Sequence, residues 1–142
     1  MGIHRAVIDT NVFIAGLRSR RGASNRILQL AGTRRFEIAL SVPVVLEYEE
    51  VAKRQIDELV YSEQEVDSII GYLCEVADQT AIYFLWRPYS RDPKDEKVLE
   101  LAIAAGCDTI VTFNRRDFAQ ARIFGLKVLT PRQFLGEIGE LL

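Results

Sequence analysis

Arg5-Ala6-Val7-Ile8-Asp9-Thr10-Asn11 is an apolar run that stops on a carboxylate. Such a run reads as a short buried strand over residues 5–9, and its final aspartate projects onto the rim of the sheet. A charged group there needs polar partners or a cation. The same aspartate is equally suited to cap the next helix, with Asn11 as a turn residue.

The pattern repeats downstream. A helical turn over residues 11–17 leads into a basic loop with Gly22. Ser24 is placed to cap a helix to Ala31, with Ile27, Leu28, Leu30 and Ala31 at helical spacing, and Gly32 closes it. Residues 36–42 read as a second strand. Pro43 opens a helix to about Gln55. Ser62-Glu63-Gln64-Glu65 is a capping box before a helix to about Ala77. Residues 81–85 read as a third strand and 86–92 as a polar loop. Pro93 starts a helix that Gly106 ends. Residues 109–112 read as a fourth strand, 116–121 as a short helix and 127–129 as a fifth strand. Thr130-Pro131-Arg132-Gln133 opens a C-terminal helix. Strands alternating with helices predict an α/β fold: a parallel sheet covered on both faces, one domain over residues 1–142. Ligands of such sheets bind beyond the carboxyl ends of the strands.

Composition narrows the class. The 142 residues suit a single core, and 49% hydrophobic with 27% charged residues is ordinary for a globular domain. No apolar run reaches the roughly 20 residues of a membrane span. The start leads straight into a strand, so no signal peptide is read and a cytoplasmic location is expected. Cys74 and Cys107 lie in apolar helical settings and read as buried thiols. His4 is the single histidine, and no zinc-like spacing exists. The net charge of −2 does not advertise a polyanion partner. The arginines are better placed than the total suggests: Arg18, Arg20 and Arg21 follow Asp9, and Arg115 and Arg116 precede Asp117. They are candidates for contacts to a phosphate backbone.

Four acids fall near expected strand ends or helix starts: Asp9, Glu47, Asp95 and Asp117. Converging carboxylates repel unless a cation lies between them, and Mg²⁺ or Mn²⁺ takes such oxygen ligands. Each acid also has a plainer reading. Glu47 fits a helix surface. Asp95 fits the first turn of a helix that Asp92 caps. Asp117 fits the cap of a turn. Asn11, Asp92, Thr112 and Asn114 are polar neighbours placed to orient ligand carboxylates.

Asp9-Thr10-Asn11-Val12-Phe13, Leu46-Glu47-Tyr48, Asp95 with Leu99 and Ala102, and the 112–118 segment together resemble the PIN-domain ribonucleases. The closing Thr130-Pro131-Arg132-Gln133-Phe134-Leu135 resembles the VapC-like toxin branch. The likeness runs over essentially the whole chain. It implies a three-layer α/β/α sandwich and an endoribonuclease site, with one or two Mg²⁺ or Mn²⁺ ions held by Asp9, Glu47, Asp95 and Asp117. It also implies an RNA substrate, an antitoxin partner and a homodimer. Family members often carry an aspartate soon after the threonine of the last motif. Asn114 stands there in this chain, which leaves open whether Asn114 or Asp117 completes the metal shell. Two other readings compete. An aspartate-nucleophile phosphatase would want a second aspartate where Asn11 stands. A PIN-like module with a weak or silent site would bind RNA or protein without cleaving.

Overall fold

A computed structural model describes residues 3–79 and 93–140. The expected strand over 81–85, the loop over 86–92 and Asp92 lie outside the described residues.

Among the described residues five parallel strands form the sheet, in the order β3-β2-β1-β4-β5. They are β1 (Arg5–Ile8), β2 (Glu37–Leu40), β3 (Asp78–Gln79), β4 (Thr109–Val111) and β5 (Lys127–Leu129). β1 is the centre, and Ala6, Val7 and Ile8 are wholly buried, as the continuous apolar run requires of a strand covered on both faces. β4 is fixed to it in the register Ala6↔Thr109, Val7↔Ile110, Ile8↔Val111.

The helices are α1 (Thr10–Arg18), α2 (Ala23–Leu30), α3 (Val42–Arg54), α4 (Glu63–Val76), α5 (Pro93–Ala104) and α6 (Pro131–Glu137), with a 3₁₀ stretch at Arg115–Phe124. The chain winds outward from β1 to β2 and β3, then returns to the far side of β1 for β4 and β5. Right-handed crossovers therefore put α1 to α4 on one face and α5 with the 3₁₀ stretch on the other. The packing agrees: α1 meets α2 and α3, α3 meets α4, and α5 lies on β1, β2 and β4. This is the expected three-layer α/β/α sandwich.

Local chemistry explains the elements. α1 is a full helix rather than a turn, with Val12, Phe13, Ile14 and Leu17 buried along one stripe. α4 starts at the capping box of Ser62 and Glu65, and α6 at that of Thr130 and Gln133. α3 is capped by Ser41, whose hydroxyl accepts from the Val44 amide, with proline in the first turn. α1 and α2 pack closely because Gly16 has no side chain: a Cβ there would lie 2.6 Å from Leu28 Cδ1. Val66, Ile70 and Leu73 of α4 belong to the core. Among the described residues no helix is long and apolar enough to cross a membrane.

Tyr48 locks α3 to the centre of the sheet. Its ring stacks on Phe13 of α1, with centroids 4.4 Å apart, and its buried hydroxyl donates to the Ile8 carbonyl. Tyr48→Phe leaves that carbonyl buried without this partner. It is expected to lower unfolding stability by about 1–3 kcal/mol in urea titrations. A variant as stable as the parent would show that the hydroxyl contributes no net stability.

Candidate functional site

The order of strands reverses between β1 and β4, and the crevice of a parallel sheet opens at such a switch. Asp9 leaves β1 there, and Thr112 leaves β4. Asp9 satisfies both of its sequence readings at once. It is the N-cap of α1, with Oδ1 accepting from the Thr10 amide at 2.8 Å. It also lines a cavity of about 300 Å³ with Thr10, Asn11, Arg18, Glu47 and Asn114.

The second oxygen of Asp9 accepts from the Thr112 hydroxyl at 2.7 Å, and that hydroxyl in turn accepts from the Asn114 amide at 3.0 Å. Asn11 is not a turn residue. It sits in α1, and its Oδ1 accepts from the Phe113 amide at 3.4 Å, which joins the loop after β4 to the helix after β1.

Glu47 is not on a helix surface either. It is 5% exposed and faces the same cavity. Its Oε2 accepts from the Thr10 hydroxyl at 2.5 Å. Its Oε1 is buried and has no hydrogen-bond partner among the described residues; the Lys97 ammonium stands 3.9 Å away. Thr10 thus bridges the two acids, amide to Asp9 and hydroxyl to Glu47. A buried carboxylate oxygen left open beside a second carboxylate is a donor set that a hard divalent cation fits.

Burial pushes the Asp9 carboxyl above its ordinary value of 3.8. The Thr112 and Thr10 hydrogen bonds oppose this, while the nearby charges of Glu47 and Asp117 add to it. The Tyr48 phenol is raised well above its usual range, first by burial and then by the negative charges of Asp9 and Glu47.

The other expected residues are placed less uniformly. Asp117 is exposed. It lies in the first turn of the 3₁₀ stretch, where its amide donates to the Asn114 carbonyl at 3.0 Å. It lines a neighbouring cavity of about 930 Å³, and Asn114 borders both cavities. Asp95 falls in the first turn of α5, and its side chain lies outside what is described. Among the described residues no three acidic, histidine or cysteine side chains gather into a metal-holding group. Arg18 lines the smaller cavity and donates to Gln55 at 2.5 Å. Arg20 turns away: its guanidinium lies over the Tyr61 ring and donates to the Val60 carbonyl. Arg21, Arg115 and Arg116 are exposed.

Three contributors are absent from the sequence-based set of site residues. Thr10 was visible only as part of the Asp9-Thr10-Asn11 motif, and Tyr48 only as the neighbour of Glu47. No sequence signal marks Lys97, because its place opposite Glu47 depends on how α5 meets α3.

A parallel α/β sandwich with paired acids at the switch of its sheet defines a class of fold built to act at that crevice. The sequence profile described as PIN domain matches residues 5–116, and the chain belongs to the PIN-domain family. Solved structures share the fold. VapBC2 from Rickettsia felis, bound to a DNA fragment from its promoter, matches with a TM-score of 0.58 at 16% identity, covering 89% of this chain and 98% of that one. VapBC-1 from nontypeable Haemophilus influenzae matches with a TM-score of 0.55 at 17% identity and the same coverage. No curated protein matches by sequence.

The raised Asp9 carboxyl has a measurable consequence. Between 3.8 and its raised folded value, the folded chain binds more protons than the unfolded chain. The contribution of Asp9 to stability therefore falls as pH rises through that window and stays low above it. Asp9→Asn removes the buried charge and keeps a good capping acceptor. In EDTA at pH 7 it is expected to melt above the parent, with the gap closing as pH falls into the carboxylate range. A variant melting below the parent at pH 7 would contradict the assignment.

Proposed function

We propose that this chain is a metal-dependent endoribonuclease acting mainly on single-stranded RNA, and the toxin of a toxin–antitoxin pair. The observation that carries the reading is the buried pair Asp9 and Glu47 lining one cavity, with one buried Glu47 oxygen that has no hydrogen-bond partner among the described residues. Membership of the PIN-domain family supports nuclease chemistry. The shared fold with VapBC proteins supports an antitoxin partner. Self-association belongs to the same reading, and the mass of the chain in solution tests it.

Asp9 and Glu47 would hold Mg²⁺ or Mn²⁺, with Asp95 and Asp117 completing the shell directly or through water. When bound, the ion supplies charge neutralisation at the scissile phosphate and acidifies a water. The chain's own groups do the rest. Thr10 and Thr112 fix the two carboxylates through the hydrogen bonds described above. One of the four acids accepts the proton of the attacking water. Lys97 balances charge beside Glu47. Asn114 borders the pocket and contributes an amide to a bound phosphate or water.

A binding module without catalysis is the second reading. The observation on its side is that Asp117 is exposed and lines the neighbouring cavity, apart from the Asp9–Glu47 pair.

Two measurements separate these readings. Cleavage of a labelled single-stranded RNA pool is expected with Mg²⁺ or Mn²⁺ and not with EDTA. Asp9→Asn and Glu47→Gln are each expected to lower it by roughly 100-fold or more. Thr112→Val, which keeps both acids, is expected to lose about 10–100-fold. Independently of activity, Mn²⁺ at about 100 times its Kd is expected to stabilise the parent by about 2.7 kcal/mol, with the gain absent in Glu47→Gln. RNA binding without cleavage or metal stabilisation would establish the second reading.

A further inference from the structure

The larger cavity beside the acids has a chemistry of its own. Phe113, Arg115, Arg116 and Arg122 lie along it, over an apolar floor that includes Leu126 and Val128. Three arginines fall within the 3₁₀ stretch Arg115–Phe124, where Asp117 is the single acid. All three are exposed, and none makes an ion pair with a described residue. Several other arginines of the fold are engaged: Arg26 and Arg35 pair with Glu140, Arg54 with Glu50 and Arg5 with Glu37, and Arg20 lies over Tyr61. Arg115, Arg116 and Arg122 instead gather along one cavity without an ion pair to a described residue.

Phe113 is 51% exposed, directly after the buried Thr112 that holds Asp9. It lines the larger cavity, and its amide is tied to Asn11, a residue of the acidic pocket. Asn114 lines both cavities, so the two are neighbours. An exposed aromatic ring among unpaired arginines is the combination that takes single-stranded nucleic acid: rings stack bases and guanidinium groups follow phosphates. A volume of about 930 Å³ gives the strand room beside the pocket.

We propose that this cavity binds the single-stranded RNA flanking the cleaved phosphodiester, with Phe113 stacking one base and Arg115, Arg116 and Arg122 contacting the backbone. The inference rests on the nuclease reading and assigns that site a strand-binding platform. Stacking is indifferent to hydrogen-bonding edges, so the platform selects unpaired strands rather than a sequence.

The test uses the full chain carrying Asp9→Asn, so that RNA survives, and measures equilibrium binding of labelled oligouridine and oligoadenosine. Phe113→Ala is expected to weaken binding about 10-fold for both, and Phe113→Trp to restore it. Arg115→Gln, Arg116→Gln and Arg122→Gln are each expected to weaken binding. Each should also flatten the slope of log affinity against log salt by about 0.7, the share of one single-strand phosphate contact. Phe113 and the arginines are exposed, and melting curves of each variant check that the fold is intact. RNA binding unchanged in all four variants would overturn the platform, and would leave the nuclease reading standing if the parent cleaves RNA. A parent that neither binds nor cleaves RNA would overturn both. Polyglutamate bound through the same arginines, with RNA affinity indifferent to them, would make the cavity a dock for an acidic protein and overturn the proposal.

Discussion

Two carboxylates buried within one small cavity are the constraint around which this molecule is arranged. Asp9 and Glu47 are 8% and 5% exposed, and among the described residues the cation that pairs with Glu47 is Lys97, at 3.9 Å. Burial of such groups is unfavourable unless each is hydrogen-bonded or joined by a cation. The chain meets part of this requirement through two threonines and a helix N-terminus. Thr10 joins the two acids, Thr112 reaches across from β4, and α1 presents its positive end to Asp9. One oxygen of Glu47 is left over. A scaffold that holds negative charge in this way sacrifices stability for readiness, which is the usual bargain of a functional site.

The scaffold explains why these particular side chains meet. A doubly wound sheet sends successive crossovers in opposite directions from its central strand, so the loops after β1 and β4 open side by side. Asp9 and Thr112 are separated by 103 positions in the chain, yet they share a hydrogen bond. α3 is brought to the same place by Tyr48, which is anchored on Phe13 and on the backbone just ahead of Asp9. Family membership adds a class of chemistry to this geometry. The geometry in turn shows which groups could carry that chemistry: a paired acidic pocket, and a basic, aromatic surface beside it.

Much of this was legible in the residues, for identifiable reasons. Ala6-Val7-Ile8 followed by Asp9 reads as a buried strand in a covered parallel sheet, and the strand is there; its place at the centre comes from the topology. The capping boxes at Ser62 and Thr130 announce α4 and α6 because two reciprocal hydrogen bonds need those residue types at that spacing. Glu47 was harder. On sequence it is a helical glutamate like Glu49 or Glu50, and only the packing of α3 against α1 buries it. Asp9 shows that the two readings offered for an acid need not compete, since capping and lining a pocket use different oxygens. Thr10 and Lys97 went unread because their roles depend on tertiary distances to Glu47. The arginines divided in a way no charge count could show. Arg20 is held on Tyr61, while Arg115 and Arg116 make no ion pair with a described residue.

The position of β4 bears on when the site comes into being. β1 is made well before its partner β4, and the Thr112 hydroxyl follows Asp9 by 103 residues. Contacts this distant in sequence form slowly and late, and a chain grows at about 5–20 residues per second during synthesis. For several seconds the nascent protein holds Asp9, and then Glu47, without the strand that orients them. The pocket cannot close around its acids until β4 and Thr112 have left the ribosome. The machine that makes this chain is therefore separated in time from whatever the finished pocket can do.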